Sequence, residues 1–165
     1  MNKKITTSTI IILAGILIMW IAFFCPYLSA TDGAKKLLDS YGLKQTNLSI
    51  IDMAYSSSQL INYASSGSLL KYLPFSGIIL LGIFSLLNVI FSVVKKPVAV
   101  IVFDILSLVI FLITDLNIRG NMAFSKTYYS HSFAYYIFYL SALIVFVGAI
   151  GLLKEKRKAK VSTAE

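Results

Sequence analysis

Residues 76–114 read SGIILLGIFSLLNVIFSVVKKPVAVIVFDILSLVIFLIT, two apolar runs hinged at Lys95-Lys96-Pro97. Each run approaches the roughly 20 apolar residues that a helix needs to cross a bilayer. Pro97 suits the first turn of a helix, where a missing N–H costs nothing. So tight a hinge predicts two antiparallel, neighbouring spans. Two further runs qualify, Ile5–Phe24 and Tyr135–Leu153, and neither contains Lys or Arg. Composition points the same way. Of 165 residues 58% are hydrophobic and only 13% charged, against about 45–50% apolar and about 25% charged in soluble domains. Mean hydropathy is +0.81. So small a globule could not bury four such helices behind so little polar surface. The expected fold class is all-α: an integral membrane four-helix bundle, one domain over residues 1–165. Spans are expected at about 5–24, 76–94, 98–114 and 135–153, with outer loops 25–75 and 115–134 and a basic tail 154–165.

The distribution of Lys and Arg sets the expected orientation. Lys3, Lys4, Lys95, Lys96, Lys154, Lys156, Arg157, Lys158 and Lys160 fall on short segments at one end. Lys35, Lys36, Lys44, Lys71, Arg119 and Lys126 are diluted over two longer loops at the other. The first set is expected in the cytoplasm, with both termini, in a cell membrane. The net charge of +8 then reads as a topology signal and as attraction of the basic tail to anionic lipid head groups. Nucleic acid is not an expected partner, because no basic surface is interleaved with base-stacking aromatics. MNKK, an apolar run and YLSA resemble a secretory signal, but the run is too long for a usual signal core. An uncleaved first span is expected, and the lone Cys25 leaves no internal disulfide.

The long outer loop carries helix signals. In TDGAKKLLDSYG, Thr31 or Asp32 is a candidate N-cap, and Gly42 a candidate residue just past the end. Ser49-x-x-Asp52 is a capping-box variant opening SIIDMAYSSSQLINYASS. Two short helices on the membrane surface or capping the bundle are expected, in preference to strands. Asn47-Leu-Ser49 matches a glycosylation sequon. The aromatics Trp20, Tyr27, Tyr72, Tyr128, Tyr129, Tyr135 and Tyr136 are expected as a belt at the outer interface.

Small residues mark helix-packing faces. Ser8, Gly15 and Ala22 recur at heptad spacing on the first span, and Ala134, Ser141 and Gly148 on the fourth. On the second, Gly77, Gly82, Ser85, Asn88 and Ser92 fall within about 140° of one another. On the third, Asp104, Ser107 and Thr114 share a narrower arc. Asn88 and Asp104 lie at equal depth, roughly 10–12 Å inside the boundary at about 1.5 Å per residue. The Asn88 amide is therefore expected to donate to the Asp104 carboxyl. A lone charge at that depth is costly, so the carboxyl is expected to be largely neutral at pH 7. Two roles are open for Asp104: a contact holding helices together, or a proton or cation site.

Catalytic signals are absent. His131, in YYSHSFAYY, is expected as a solvated loop residue with no carboxylate partner and no metal site. Asp115 and Arg119 are expected as an exposed i,i+4 ion pair. No HExxH, GxSxG, phosphate-binding glycine loop or CxxC occurs, so neither enzyme chemistry nor a cofactor is expected.

The order short tail, span, long loop, span, tight turn, span, shorter loop, span resembles the claudin layout. The claudin Trp-Gly-Leu-Trp stretch and cysteine pair are missing from residues 25–75, so no barrier function is implied. The FFCPYLSA exit of the first span, the Lys-Lys turn and thirteen Lys to two Arg are similar to small four-span membrane proteins of low-GC bacteria, a group that implies no activity. Two functions are expected to compete. One is a non-catalytic membrane protein acting by contact with proteins or lipids through its outer loops (an accessory, envelope or immunity-type protein). The other is a small oligomeric transporter or channel handling protons or cations through Asp104. A membrane-protein partner or a second copy fits either.

Overall fold

The computed structural model describes residues 6–40, 46–53, 73–120 and 126–161. Helix α1 spans Thr7–Phe24, strand β1 Pro26–Ala30, helix α2 Asp32–Ser40 and strand β2 Asn47–Ser49. Helix α3 spans Leu73–Val93, α4 Pro97–Gly120, strand β3 Tyr129–His131 and helix α5 Phe133–Val161. Four of these helices (α1, α3, α4 and α5) are long and apolar enough to cross a membrane, and only 28–39% of each apolar window is buried inside the protein. The remainder is a continuous coat of exposed Ile, Leu, Val and Phe, including Leu17, Ile21, Val102, Ile105, Leu143 and Val147. Monomeric soluble proteins do not expose apolar surface on that scale. The protein is an integral membrane four-helix bundle.

The heptad stripes of α1 and α5 meet face to face. A Cβ on Gly15 would lie 2.8 Å from a Val145 methyl and 3.1 Å from the Ser141 carbonyl oxygen. One on Gly148 would lie 2.7 Å from Ile12 Cγ1 and 3.1 Å from the Ile12 backbone nitrogen. Ser8, Ala22, Ala134 and Ser141 are buried along the same seam. At its end the Ser8 hydroxyl donates to Glu155 Oε1 at 2.5 Å. On α3, Gly77 packs against Thr114 of α4, whereas no atom of the described residues lies within 4 Å of a Cβ placed on Gly82. Gly82 is thus not a close-packing position. It lies at the edge of the arc of small residues, and lipid can fill the space a side chain would take.

The other serines of these faces satisfy their hydroxyls within their own helices. Ser85, Ser92, Ser107 and Ser141 donate to carbonyls of Gly82, Val89, Phe103 and Phe138 on their own helices. They are small residues with internally satisfied hydroxyls. Between α1 and α3, Trp20 Nε1 donates to the Ser85 hydroxyl at 2.7 Å. Trp20 is therefore a tie between spans as well as a half-exposed ring.

The hinge closes as a helix C-cap. Lys96 N–H bonds to the Phe91 carbonyl at 2.9 Å and Lys95 N–H to the Ser92 carbonyl at 3.2 Å, the pairing of a Schellman motif. It places Lys95 at φ 59°, a conformation usually filled by glycine. Helix α4 then starts at Pro97 as expected.

At the opposite end of the bundle, which we term the loop end, the outer segments differ from expectation. Helix α2 forms, with the Thr31 hydroxyl accepting from Ala34 N–H, and the Ser49–Asp52 box closes reciprocally. Helical residues follow Ser49 to Met53; Tyr41, Gly42 and residues 54–72 lie outside the described set. Around these pieces is a three-stranded antiparallel sheet in the order β2-β1-β3. Leu28 pairs with Leu48 on one side and with His131 on the other. The strands are three to five residues long, too short to show alternation in sequence. A register irregularity between Pro26 and Leu28 lets two successive side chains, Tyr27 and Leu28, both be buried. The central strand thus joins the two outer loops into one platform.

Two span limits also move. Helix α4 continues past Thr114 to Gly120, and α5 past Leu153 to Val161, so much of the basic tail is helical.

Candidate functional site

The largest departure from the sequence reading lies where α4 meets the platform. The extra turn of α4 carries Asp115 and Arg119 into the protein, where their side chains are only 8% and 10% exposed. Asp115 is buried and Arg119 largely so, and the pair is not exposed. Asp115 Oδ1 accepts a short hydrogen bond from the Tyr27 hydroxyl and lies 3.0 Å from His131 Nε2. Arg119 Nε is 3.9 Å from the same oxygen and 2.9 Å from His131 Nε2. His131 therefore does have a carboxylate neighbour, and it is largely enclosed. Its ring stacks on Tyr135 at a centroid distance of 3.7 Å. Nε2 either donates to Asp115 or accepts from Arg119, according to which ring nitrogen carries the proton. One carboxylate thus joins β1, β3 and α4.

Aromatic rings enclose the cluster. Tyr27 is fully buried and meets Phe111 and Tyr135 edge-on, and Phe111 stacks on Phe138 at 3.8 Å. The Tyr139 hydroxyl donates to that of Tyr135 at 3.3 Å. The expected aromatic belt therefore divides. Tyr27 and Tyr135 belong to the core and its border, Tyr129 is partly buried in the sheet, and Tyr128 and Tyr136 remain exposed with Phe24, Phe75 and Phe133. Tyr72 lies outside the described residues.

Burial, reinforced by the hydrogen bond to Asp115 and that carboxylate's charge, pushes the Tyr27 phenol far above its ordinary value of 10.0. The folded protein therefore keeps this proton where the unfolded chain, titrating near pH 10, releases it. Above that pH the unfolded state binds fewer protons, so stability falls as pH rises; below it the contribution is fully present. Tyr27→Phe should lose about 1.5–3 kcal/mol at pH 8, the range for a hydrogen bond to a charged group. It should also show a shallower loss between about pH 10 and 11 than the wild type. Unfolding midpoints in detergent at a series of pH values test this, and parallel curves would refute it.

The intramembrane polar residues behave differently again. Asp104 and Asn88 are both about 1% exposed. Among the described residues, both carboxyl oxygens of Asp104 and the Asn88 side-chain oxygen have no hydrogen-bond partner. The expected Asn88-to-Asp104 bond is not made. Equal depth on adjacent helices fixes height, but not whether two short side chains come within about 3.2 Å.

Beyond the spans, Ala34, Leu37 and Leu38 of α2, Tyr128 and the first residue of β3, Tyr129, line an apolar recess of about 220 Å³. Leu37 and Tyr128 are 49% and 43% exposed at its rim. Comparison with protein-family models, curated proteins and solved structures finds no match to this chain.

Proposed function

We propose that this integral membrane protein acts by contact, binding a partner protein at its loop-end platform, without catalysing a reaction. The observation that carries this reading is the recess between α2 and β3. It is apolar, it is displayed beyond the ends of the spans, and it is built on a platform held by the sheet and by the Asp115 cluster. Exposed apolar recesses with aromatic rims are features of protein contact sites. Rigid support lowers the ordering cost of binding. The charge asymmetry supports an orientation with this platform outside the cell and both termini in the cytoplasm.

A second reading rests on one specific observation, the unpartnered Asp104 oxygens. A buried carboxyl without donors is what a proton or cation site inside a membrane would present. Proton and cation flux into liposomes separates the two. The contact reading expects no flux above empty vesicles from folded wild-type protein, and none from Asp104→Asn. Flux in the wild type that disappears in Asp104→Asn would replace it with a transport function.

A further inference from the structure

The opposite end of the bundle, where α1 begins and α5 ends, carries a second concavity. It is a groove of about 650 Å³ between the start of α4 and the end of α5, within the roughly 300–1,000 Å³ typical of small-molecule clefts. Its charged wall is formed by Lys96, Lys156, Arg157 and Lys160. Its floor is apolar, made by Pro97, Val98, Ala99 and Leu153. Lys96 is steadied over the Phe91 ring at 5.9 Å, and the N-terminus of α4, which opens at Pro97 next to it, adds partial positive charge.

The three α5 cations and Leu153 recur at i, i+3, i+4 and i+7, so they share one helix face. Lys154 and Lys158 lie about 100–140° around the helix from Leu153 and do not line the groove. Glu155, the acid on this part of α5, faces α1 through its bond to Ser8. From the floor, exposed Val98 leads along α4 to Val102 and Ile105, which are also exposed and follow at i+4 and i+7. The groove therefore runs from a cationic mouth onto the lipid-facing surface of a span.

We propose that this groove is a binding site for an anionic phospholipid. The head-group phosphate sits among Lys96, Lys156, Arg157 and Lys160, and one acyl chain lies along Val98, Val102 and Ile105. The pairing of cations with an apolar track selects an amphiphile: a free phosphate or a nucleotide would use the wall and leave the track bare. The site rests on neither reading of the loop end and does not depend on which leaflet the groove faces. It differs from general attraction of a basic tail because it assigns different roles to cations on two faces of one helix.

The test uses the full-length protein in detergent, with native mass spectrometry following retention of phosphatidylglycerol and phosphatidylcholine. At least tenfold stronger retention of phosphatidylglycerol is expected. Lys156→Gln/Arg157→Gln should reduce it to the phosphatidylcholine level. Lys154→Gln/Lys158→Gln, with the same change in net charge, should leave it intact. Circular dichroism melts would check that both variants are folded; all four positions are exposed. Equal loss in the two variants would overturn the proposal in favour of diffuse attraction. Equal retention of the two lipids would overturn it outright. Displacement of the lipid by millimolar inorganic phosphate would reduce the site to one for a simple anion.

Discussion

Replacing Asp115 by leucine is expected to destabilise the protein by about 3–5 kcal/mol, because it leaves a largely buried cation without its counter-charge. Arg119 is only 10% exposed and has its carboxylate partner in Asp115. The same substitution removes the acceptor for the Tyr27 hydroxyl and the neighbour of His131, so β1 and β3 lose their tie to α4 together. Two consequences distinguish this from ordinary core damage. The double change Asp115→Leu/Arg119→Leu should recover most of the loss, since a buried ion pair exchanged for apolar residues is often near neutral. Tyr27→Phe and Asp115→Leu should also be strongly non-additive, as they break the same contact. Chemical unfolding in detergent of the wild type, Tyr27→Phe, Asp115→Leu and the two double variants, Asp115→Leu/Arg119→Leu and Tyr27→Phe/Asp115→Leu, measures both. A cost below about 1 kcal/mol for Asp115→Leu would indicate a solvated pair of the kind usual at surfaces.

Gly148→Leu is the second large effect, expected to cost about 3 kcal/mol or more, at or beyond the upper end for overpacking. Even a methyl group at this position would approach Ile12 Cγ1 to 2.7 Å and the Ile12 backbone nitrogen to 3.1 Å. Rotation of the isoleucine cannot relieve the second contact, so α1 and α5 must separate. Gly15→Leu meets the same obstacle at the Ser141 carbonyl, 3.1 Å from a Cβ. Gly82→Leu should be almost silent, because that position has open space around it. Thermal melts of the three variants would rank them, with Gly82→Leu closest to wild type. Equal tolerance at 82 and 148 would mean that α1 and α5 do not pack through these glycines.

The spans were legible because lipid imposes a strict requirement of length and apolarity, and the α1–α5 seam because close backbone approach admits only small residues. The site at the loop end was less legible, although a signal existed. Asp115 lies eleven residues after Asp104, a rotation of only about 20° on a helix, so the periodicity that turns Asp104 inward also buries Asp115. A span that ends at Thr114, where hydropathy drops, leaves Asp115 and Arg119 in a loop. His131 could not be joined to them from sequence, since the contact depends on a sheet of strands three to five residues long. Strands that short carry almost no period-2 signal, and their pairing is set by the ends of the spans they connect. For Asn88 and Asp104 the depth was legible and the side-chain geometry was not.

The platform's role is tested most directly by cross-linking from its recess. Cysteines placed at Leu37 and at Tyr128, with Cys25 changed to Ser, would carry a membrane-impermeant photoreactive maleimide in intact cells. A third cysteine at Lys158 serves as the control. Leu37 and Tyr128 should both be labelled and yield the same discrete adduct on illumination, and Leu38→Glu, in the wall of the recess, should abolish it. The Lys158 position should remain unlabelled. Labelling at Lys158 in place of Leu37 and Tyr128 would reverse the orientation. Labelled platform positions that give no discrete adduct, or one indifferent to Leu38→Glu, would contradict a contact function at this surface.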